Sequence, residues 1–319
     1  MKPMRWCLVV GLSLVLAGRA AESTNEAGRS TRSGQRLQEP ARAQPPSGAK
    51  VIGPLEFGRA GDKSMRLDLY LPERSDGPLP LVIWIYGGAW RMGSRNNPSP
   101  ALSFTTNGYA VAHISYRLSQ EAVFPAQIHD CKAAVRWLRT NAKQYNLDPT
   151  RFAVWGPSAG GHLAALLGTS GDVAELDGAV NDLKTSSRVQ AVVDWFGPTD
   201  LLQMNKAGSS MDHDATHSPE SQLIGGPIQE NKDRAAKANP ITYVSRDDPP
   251  FLIMHGDQDR TVPFNQSELL VEALKKAGVE AVFVPIKGAG HGFRGPEPVN
   301  EVRQFLDRHL KAGKELPPE

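Results

Sequence analysis

Apolar residues occur along the chain in short runs separated by longer mixed segments. Runs rich in β-branched and aromatic residues predict strands, because such side chains pack well on a pleated, buried surface. The most apolar run, LPLVIWIY at 79–86, is continuous, as expected of a central strand buried on both faces. The same criterion predicts strands at 65–71, 79–86, 109–116, 151–155, 189–196, 251–255 and 281–286.

Segments between these strands carry apolar residues three or four positions apart, which is the spacing of one helix face. They predict helices at 126–145, 159–169, 265–277 and 299–311. Strands that alternate with helices indicate an α/β fold with a mostly parallel, doubly wound sheet flanked by helices. Residues 202–240 have neither period and are rich in Met, Asn, Gly, Ser, His and Asp. We expect them to form a short lid-like insertion at one end of the sheet.

The N-terminal region has the features of an export signal. Lys2 and Arg5 precede an apolar run at 7–17, and small residues follow it. Eleven apolar residues are too few to cross a bilayer core, which needs about 20. We therefore predict a signal peptide at 1–21 and a secreted or periplasmic protein. Residues 22–50 contain no aromatic residue and predict a disordered linker, followed by a folded domain at 51–313 and a tail at 314–319.

Charge and cysteine content narrow the classes of partner. The chain has 36 Lys and Arg residues, but three lie in the predicted signal, which has no acid, and 33 then remain against 34 Asp and Glu. This balance does not favour nucleic acid as a partner, and we expect no membrane anchor. Cys7 lies in the signal, which leaves Cys131 alone. Its spacing from Ile128, Val135 and Leu138 predicts a buried core cysteine rather than a nucleophile.

A glycine-serine-glycine pattern follows the predicted strand 151–155 and begins the helix 159–169. Residues 156–160 (GPSAG) match the nucleophile elbow, in which a serine occupies a sharp turn between a strand and a helix. Small neighbours are required because the two backbones approach closely there. The pattern alone is common, but its position between a strand and a helix predicts that Ser158 is a nucleophile.

Two adjacent glycines, Gly87 and Gly88, directly follow the most apolar strand. Their backbone amides are suited to bind a developing oxyanion, together with the amide of Ala159 at the start of the helix. The alternative is a glycine turn that only ends the strand.

A serine nucleophile requires a base and an acid that orients it. Of the eight histidines, His291 lies in a glycine-rich loop (288–293) after the last strand, where it can reach the serine. Asp259 follows the strand 251–255 and is the preferred acid, with Asp257 and Asp200 as alternatives. The order Ser158, Asp259, His291 is the chain order of α/β-hydrolase triads.

Two further groups of residues were considered as binding sites. The residues Asp212, His213, Asp214 and His217 lack a metal-binding framework, and we expect a polar loop with no metal or other cofactor. The second group is aromatic and forms a candidate substrate platform for a sugar or phenolic ring, although core packing explains Trp195 equally well. Its members are Trp90, Trp195 and Phe293, and Tyr86 is a separate candidate for substrate binding.

From about residue 51 to 310 the chain resembles the esterase/lipase branch of the α/β-hydrolases, and is most similar to bacterial acetylxylan and feruloyl esterases. The residues that carry the resemblance are 86–90 (YGGAW), 115–117 (SYR), 156–162 (GPSAGGH), 194–200 (DWFGPTD), 255–259 (HGDQD) and 290–293 (GHGF). The resemblance implies the nucleophile Ser158, acid Asp259 and base His291, with Gly88 and Ala159 in the oxyanion hole. The family usually has His where this chain has Tyr86, and the departure affects the expected substrate preference.

The expected function is hydrolysis of small-molecule or polysaccharide esters through an acyl-enzyme. One alternative is a prolyl-oligopeptidase-type peptidase, although 22–50 leaves no room for the usual propeller. A long-chain lipase would have a more apolar insertion than 202–240. The non-enzymatic alternative is a hydrolase-fold binding protein without turnover.

Overall fold

The structure is a computed structural model that describes residues 41–180 and 182–311. The predicted signal peptide at 1–21 and the tail at 314–319 lie outside the described residues, as does most of the predicted linker. The end of that linker, at 41–50, is described and differs from the prediction. Arg42 forms an ion pair of 2.9 Å with buried Asp68, and Ala43 is buried.

Eight strands form one sheet in the order β1-β2-β4-β3-β5-β6-β7-β8. The pairs β1–β2 and β2–β4 are antiparallel, whereas each pair from β4 to β8 is parallel, which confirms the mostly parallel α/β-hydrolase sheet. The strands are β1 Lys50–Ala60, β2 Lys63–Leu71, β3 Leu79–Ile85, β4 Ala110–Ile114, β5 Leu147–Pro157, β6 Ala191–Trp195, β7 Phe251–Gly256 and β8 Ala281–Ile286. Strand β1 was not predicted, because an edge strand that is mostly half exposed carries no apolar run.

Helices cover both faces of the sheet. They are α1 Ala126–Thr140, α2 Ala159–Thr169, α3 Pro219–Ile224, α4 Lys232–Ala238, α5 Asn265–Lys276 and α6 Glu297–Leu310. Alternate residues of β3 belong to two separate cores: Ile83 packs with α1, α2 and α5 on one face, and Trp84 with α6 on the other. Cys131 is fully buried in the first core, as predicted. Among the described helices, none is both long and apolar enough to span a bilayer.

The insertion and the first helix depart from the predicted boundaries. The segment predicted to be aperiodic contains α3, α4 and three 3-10 helices, at Leu201–Ala207, Ile228–Glu230 and Pro240–Tyr243. Helix α1 ends five residues before the predicted residue 145. Asn141 caps the end of the helix, and its side-chain amide donates to the Trp137 carbonyl at 2.8 Å.

A buried ion pair connects the segment after β4 to α1. Arg117 donates to both carboxylate oxygens of Asp130 through its side chain, at 2.8 and 2.9 Å, and its backbone amide adds a bond of 2.8 Å. The Asp130 side chain is fully buried, whereas that of Arg117 is 20% exposed. Burial raises the pKa of Asp130, although Arg117 opposes this effect.

Replacing Asp130 by alanine is expected to reduce the free energy of unfolding by about 3 kcal/mol, because Arg117 is then left without its partner inside the protein. The control is Asp172→Ala. Asp172 also pairs with an arginine, Arg188, but its side chain is 78% exposed, and the expected loss is below about 1 kcal/mol. Urea unfolding of both variants provides the measurement, and equal losses would contradict the prediction.

Candidate active site

Ser158 lies on a strained turn between β5 and α2, as predicted for a nucleophile elbow. Its φ of 55° and ψ of −124° fall outside the regions that residues with a side chain ordinarily occupy. Its amide donates to the Trp195 carbonyl at 2.8 Å. A Cβ placed on Gly160 would lie 2.1 Å from the Ile85 carbonyl oxygen. Glycine at position 160 is therefore required by the close packing of α2 against β3.

The three predicted triad residues form one chain of hydrogen bonds. The Nε2 atom of His291 lies 3.0 Å from the Oγ of Ser158, and its Nδ1 lies 2.6 Å from the Oδ2 of Asp259. A carboxylate can only accept, so Nδ1 carries the hydrogen and Nε2 is available to accept from the serine hydroxyl. The Asp259 side chain is fully buried, whereas that of His291 is 24% exposed.

The Asp259 carboxylate is held in its charged form. Its Oδ1 accepts from the amides of Thr261 and Val262, at 2.8 and 3.0 Å. Burial alone would raise the pKa of Asp259, but the N–H groups of His255 and His291 at Oδ2, with the Thr261 amide, lower it well below its usual range. The residue therefore remains ionised near neutral pH, as the partner of an imidazole base requires.

The two alternative acids have other partners. Asp257 accepts from the Gly288 amide at 2.7 Å. Asp200 accepts from the Leu202 amide at 3.1 Å and begins the 3-10 helix Leu201–Ala207. The structure thus brings Asp259 against His291 and gives the other two carboxylates structural partners.

The Gly87–Gly88 loop lies directly against the serine. A Cβ on Gly87 would lie 2.7 Å from the Pro157 carbonyl oxygen and 3.4 Å from the Cβ of Ser158. Gly88 has a φ of 119°, and a Cβ there would lie 2.4 Å from the Met92 carbonyl oxygen. The conformation and the close approach both require glycine, and they place the loop against the backbone of the elbow.

Three of the four aromatic residues suggested for substrate binding are buried, namely Trp90, Tyr86 and Trp195. Trp90 is 1% exposed and donates from its indole to the Nδ1 of His162 at 3.1 Å. Tyr86 is 4% exposed and stacks on Tyr116, with ring centroids 4.4 Å apart. The polar atom of each ring has its hydrogen-bonding partner inside the protein, so both rings are core residues under the glycine loop.

The other two aromatic residues lie beside the base. Trp195 is buried at 6% exposure, and its ring packs against that of Phe293, which is half-buried. Phe293 also contacts Phe196, whose ring lies 4.7 Å from the His291 ring. Of the predicted platform, Phe293 is the member with an accessible face.

The sequence reveals neither of two further contributors to this site, nor the burial of a third residue. Phe196, with a φ of 44°, lies within the motif 194–200 without a predicted role, and it packs on the base. His255 lies within the motif 255–259, and it contacts Asp259. His213 was expected in a polar loop, but it is buried between Glu220 and Ser209, at 3.0 and 2.8 Å. Neither of the two histidines carries a sequence signal that reveals its partners.

Comparisons with known proteins agree with this geometry. The BD-FAE family model matches residues 67–274, a range that includes Ser158 and Asp259. The chain is 30% identical over 262 residues to the probable carboxylic ester hydrolase LipM of Mycobacterium tuberculosis, covering 79% of this chain and 59% of that protein. Esterase LipC of the same organism is 32% identical over 68% of this chain and 53% of its own length. The chain thus spans little more than half the length of these relatives.

Solved structures give the same result. A truncated carbohydrate esterase from gut microbiota superposes with a TM-score of 0.75 at 34% identity, covering 82% of this chain and 96% of that one. A thermophilic esterase of Thermogutta terrifontis has a TM-score of 0.68 at 26% identity, with 86% and 98% covered. That esterase has also been solved with butyrate bound and after phosphonylation by sarin. Family model, relatives and fold agree, and the chain belongs to the BD-FAE family of the α/β-hydrolases.

Proposed function

We propose that the protein is a carboxylic ester hydrolase in which Ser158 is the nucleophile, His291 the general base and Asp259 the acid. The observation that carries the proposal is the continuous hydrogen-bond chain from the Ser158 hydroxyl through both nitrogens of His291 to the buried Asp259 carboxylate. A phosphonylated form of the thermophilic esterase is consistent with a reactive nucleophile in that neighbour.

The geometry supports a two-step acyl transfer. Ser158 attacks the ester carbonyl while His291 takes its proton at Nε2, and His291 then returns that proton to the departing alcohol. A water molecule, deprotonated in turn by His291, attacks the acyl-enzyme and releases the carboxylic acid. Asp259 remains ionised throughout and stabilises the imidazolium that forms twice in the cycle.

The oxyanion of each tetrahedral intermediate requires donors that are already in place. We assign this role to the amides of Gly87 or Gly88 and of Ala159. The glycine loop lies against the Cβ of Ser158, and Ala159 begins the 11-residue helix α2, whose N-terminal dipole favours negative charge. The glycine loop and the start of α2 both adjoin the serine, which supports binding of an oxyanion by their amides.

We propose esters with short acyl groups as substrates, with acetyl and feruloyl groups on plant polysaccharides as the specific candidates. Two neighbours support this choice, one described as a carbohydrate esterase and one solved with butyrate. The half-buried ring of Phe293, beside Phe196 and His291, offers an apolar face next to the reacting atoms. The residues at 1–21 lead us to propose that the enzyme acts after export.

A hydrolysis panel tests this function and its alternatives. Purified protein is assayed with p-nitrophenyl acetate, p-nitrophenyl laurate, methyl ferulate, acetylated xylan and a proline-containing amide, beside a fluorophosphonate probe. We expect turnover of the acetyl or feruloyl esters at least tenfold above the laurate ester, and probe attachment at Ser158. Preferential amide cleavage would favour the peptidase. The absence of both turnover and labelling would favour a binding protein.

A further inference from the structure

His255 is a second histidine in contact with the proposed catalytic acid. It lies near the end of β7, and its side chain is fully buried. The Nδ1 atom lies 2.7 Å from the Oγ of Ser267 on α5. The Nε2 atom lies 3.0 Å from the Val262 carbonyl oxygen and 3.3 Å from the Oδ2 of Asp259. The ring therefore connects α5 to the loop that carries the acid.

The partners of the ring determine where its hydrogen lies. The Val262 carbonyl can only accept, so Nε2 carries a hydrogen. In the neutral ring Nδ1 is then an acceptor, and the Ser267 hydroxyl must donate to it. The Val262 carbonyl thus sets the tautomer, and the Ser267 hydroxyl supports it by donating to Nδ1. The Nε2 hydrogen is then directed toward Val262, with Asp259 Oδ2 beside it.

The environment of Asp259 makes this N–H important. Oδ1 is occupied by two backbone amides, and Oδ2 is shared by the rings of His291, at 2.6 Å, and His255, at 3.3 Å. A second N–H at Oδ2, besides that of His291, withdraws charge from this oxygen and limits rotation of the carboxylate. Both effects act on the hydrogen bond that orients the base.

The remaining neighbours of His255 are apolar or lie on the adjacent strand. The rings of Phe264 and Phe196 lie 5.5 and 6.3 Å from it. Besides Asp259, the charged group that faces it among the described residues is Asp194 on β6, a buried carboxyl whose pKa burial raises to about 6.

We propose that His255, with its tautomer set by the Val262 carbonyl and supported by Ser267, is a positioning residue that orients the Asp259 carboxylate and moderates the strength of His291 as a base. The proposal rests on the triad assigned above. His255 touches neither substrate nor reacting atoms, and it acts only through Asp259.

The test compares His255→Leu, which removes the N–H, with His255→Gln, whose amide nitrogen can replace Nε2. For the leucine variant we expect kcat on p-nitrophenyl acetate to fall about tenfold at unchanged KM, the equivalent of one net hydrogen bond. The acid limb of the kcat/KM profile should move up by about half a pH unit, since a less compensated carboxylate stabilises the imidazolium of His291 more strongly. The glutamine variant should recover most of the wild-type kcat and most of the wild-type pH profile.

His113→Leu is the matched control. His113 is also fully buried, with one ring nitrogen 2.8 Å from a serine hydroxyl and the other 2.9 Å from a backbone carbonyl, but on β4. We expect it to lower the Tm as His255→Leu does while the pH profile stays that of the wild type. The proposal is overturned if both His255 variants keep the wild-type pH profile, or if both lose kcat to the same extent.

Two further measurements keep the test decisive. If His255→Leu does not fold, Ser267→Ala retains the ring and removes the hydroxyl that donates to its Nδ1. It should shift the acid limb in the same direction with a two- to threefold loss in kcat, roughly a fraction of one hydrogen bond, and an unshifted limb overturns the proposal. Wild-type turnover that does not depend on Ser158 would instead refute the proposed function, before any His255 variant is measured.

Discussion

Ser158→Ala is expected to reduce kcat for p-nitrophenyl acetate by roughly 10³-fold or more, with little change in KM. The substitution removes the atom that forms the acyl-enzyme, whereas the substrate site is otherwise unchanged. Alanine and serine both carry a Cβ, so the φ of 55° costs the variant no additional backbone strain. The folded protein should therefore have a Tm close to that of the wild type.

Steady-state assays of the variant and of Ser103→Ala measure the effect. Ser103 bonds to the Pro100 carbonyl in a 3-10 helix outside the site, and its loss should leave turnover within about twofold. Activity of Ser158→Ala above a tenth of the wild-type value would exclude Ser158 as the nucleophile.

Asp259→Asn is expected to lower kcat by about 10³- to 10⁴-fold, because the surrounding donors impose the wrong tautomer on the base. The amides of Thr261 and Val262 at the Oδ1 position require the asparagine oxygen there. Its NH₂ group then faces His291 and donates to Nδ1. The ring hydrogen moves to Nε2, which can no longer accept the proton of Ser158. The NH₂ group also meets the N–H of His255, which adds a conflict between two donors.

Asp257→Asn is the paired control. Its carboxylate accepts a hydrogen bond from the Gly288 amide, and an asparagine oxygen can accept the same bond, so turnover should stay within about threefold. A larger loss of turnover in Asp257→Asn than in Asp259→Asn would make Asp257 the catalytic acid.

Stability provides a further readout for Asp259. The pKa of Asp259 is lowered in the folded state, so its stabilisation is present above about pH 4 and is lost as the pH falls. Urea unfolding of Asp259→Asn should lack this contribution.

The sequence was most informative where steric requirements are strict. The elbow allows only glycine at 160, since any Cβ would meet the Ile85 carbonyl, and this leaves a pattern visible in the chain. The base was identified by its glycine loop after the last strand. These constraints are local or depend on strand order, so a single sequence records them.

Properties that depend on contacts across the fold were not predictable in the same way. Asp200, Asp257 and Asp259 all follow strands, and only the three-dimensional arrangement shows which of them meets His291. Trp90 resembled a platform residue because it follows the glycine loop, but its partner, His162, is 72 residues away. The burial of Ala43 depends on Tyr70 in β2, whose hydroxyl lies 3.4 Å from its carbonyl.

The position of β8 at the edge of the sheet has a consequence for inactivation. The loop with His291 follows this strand, which pairs with β7 on one side only and has no fully buried residue. Edge elements open at a lower free energy than central ones, without global unfolding. The nucleophile lies 133 residues earlier in the chain, directly after the central strand β5. A molecule with β8 detached would keep most of its sheet and lose its proposed base, so catalytic competence and global cooperativity are separate properties of this fold.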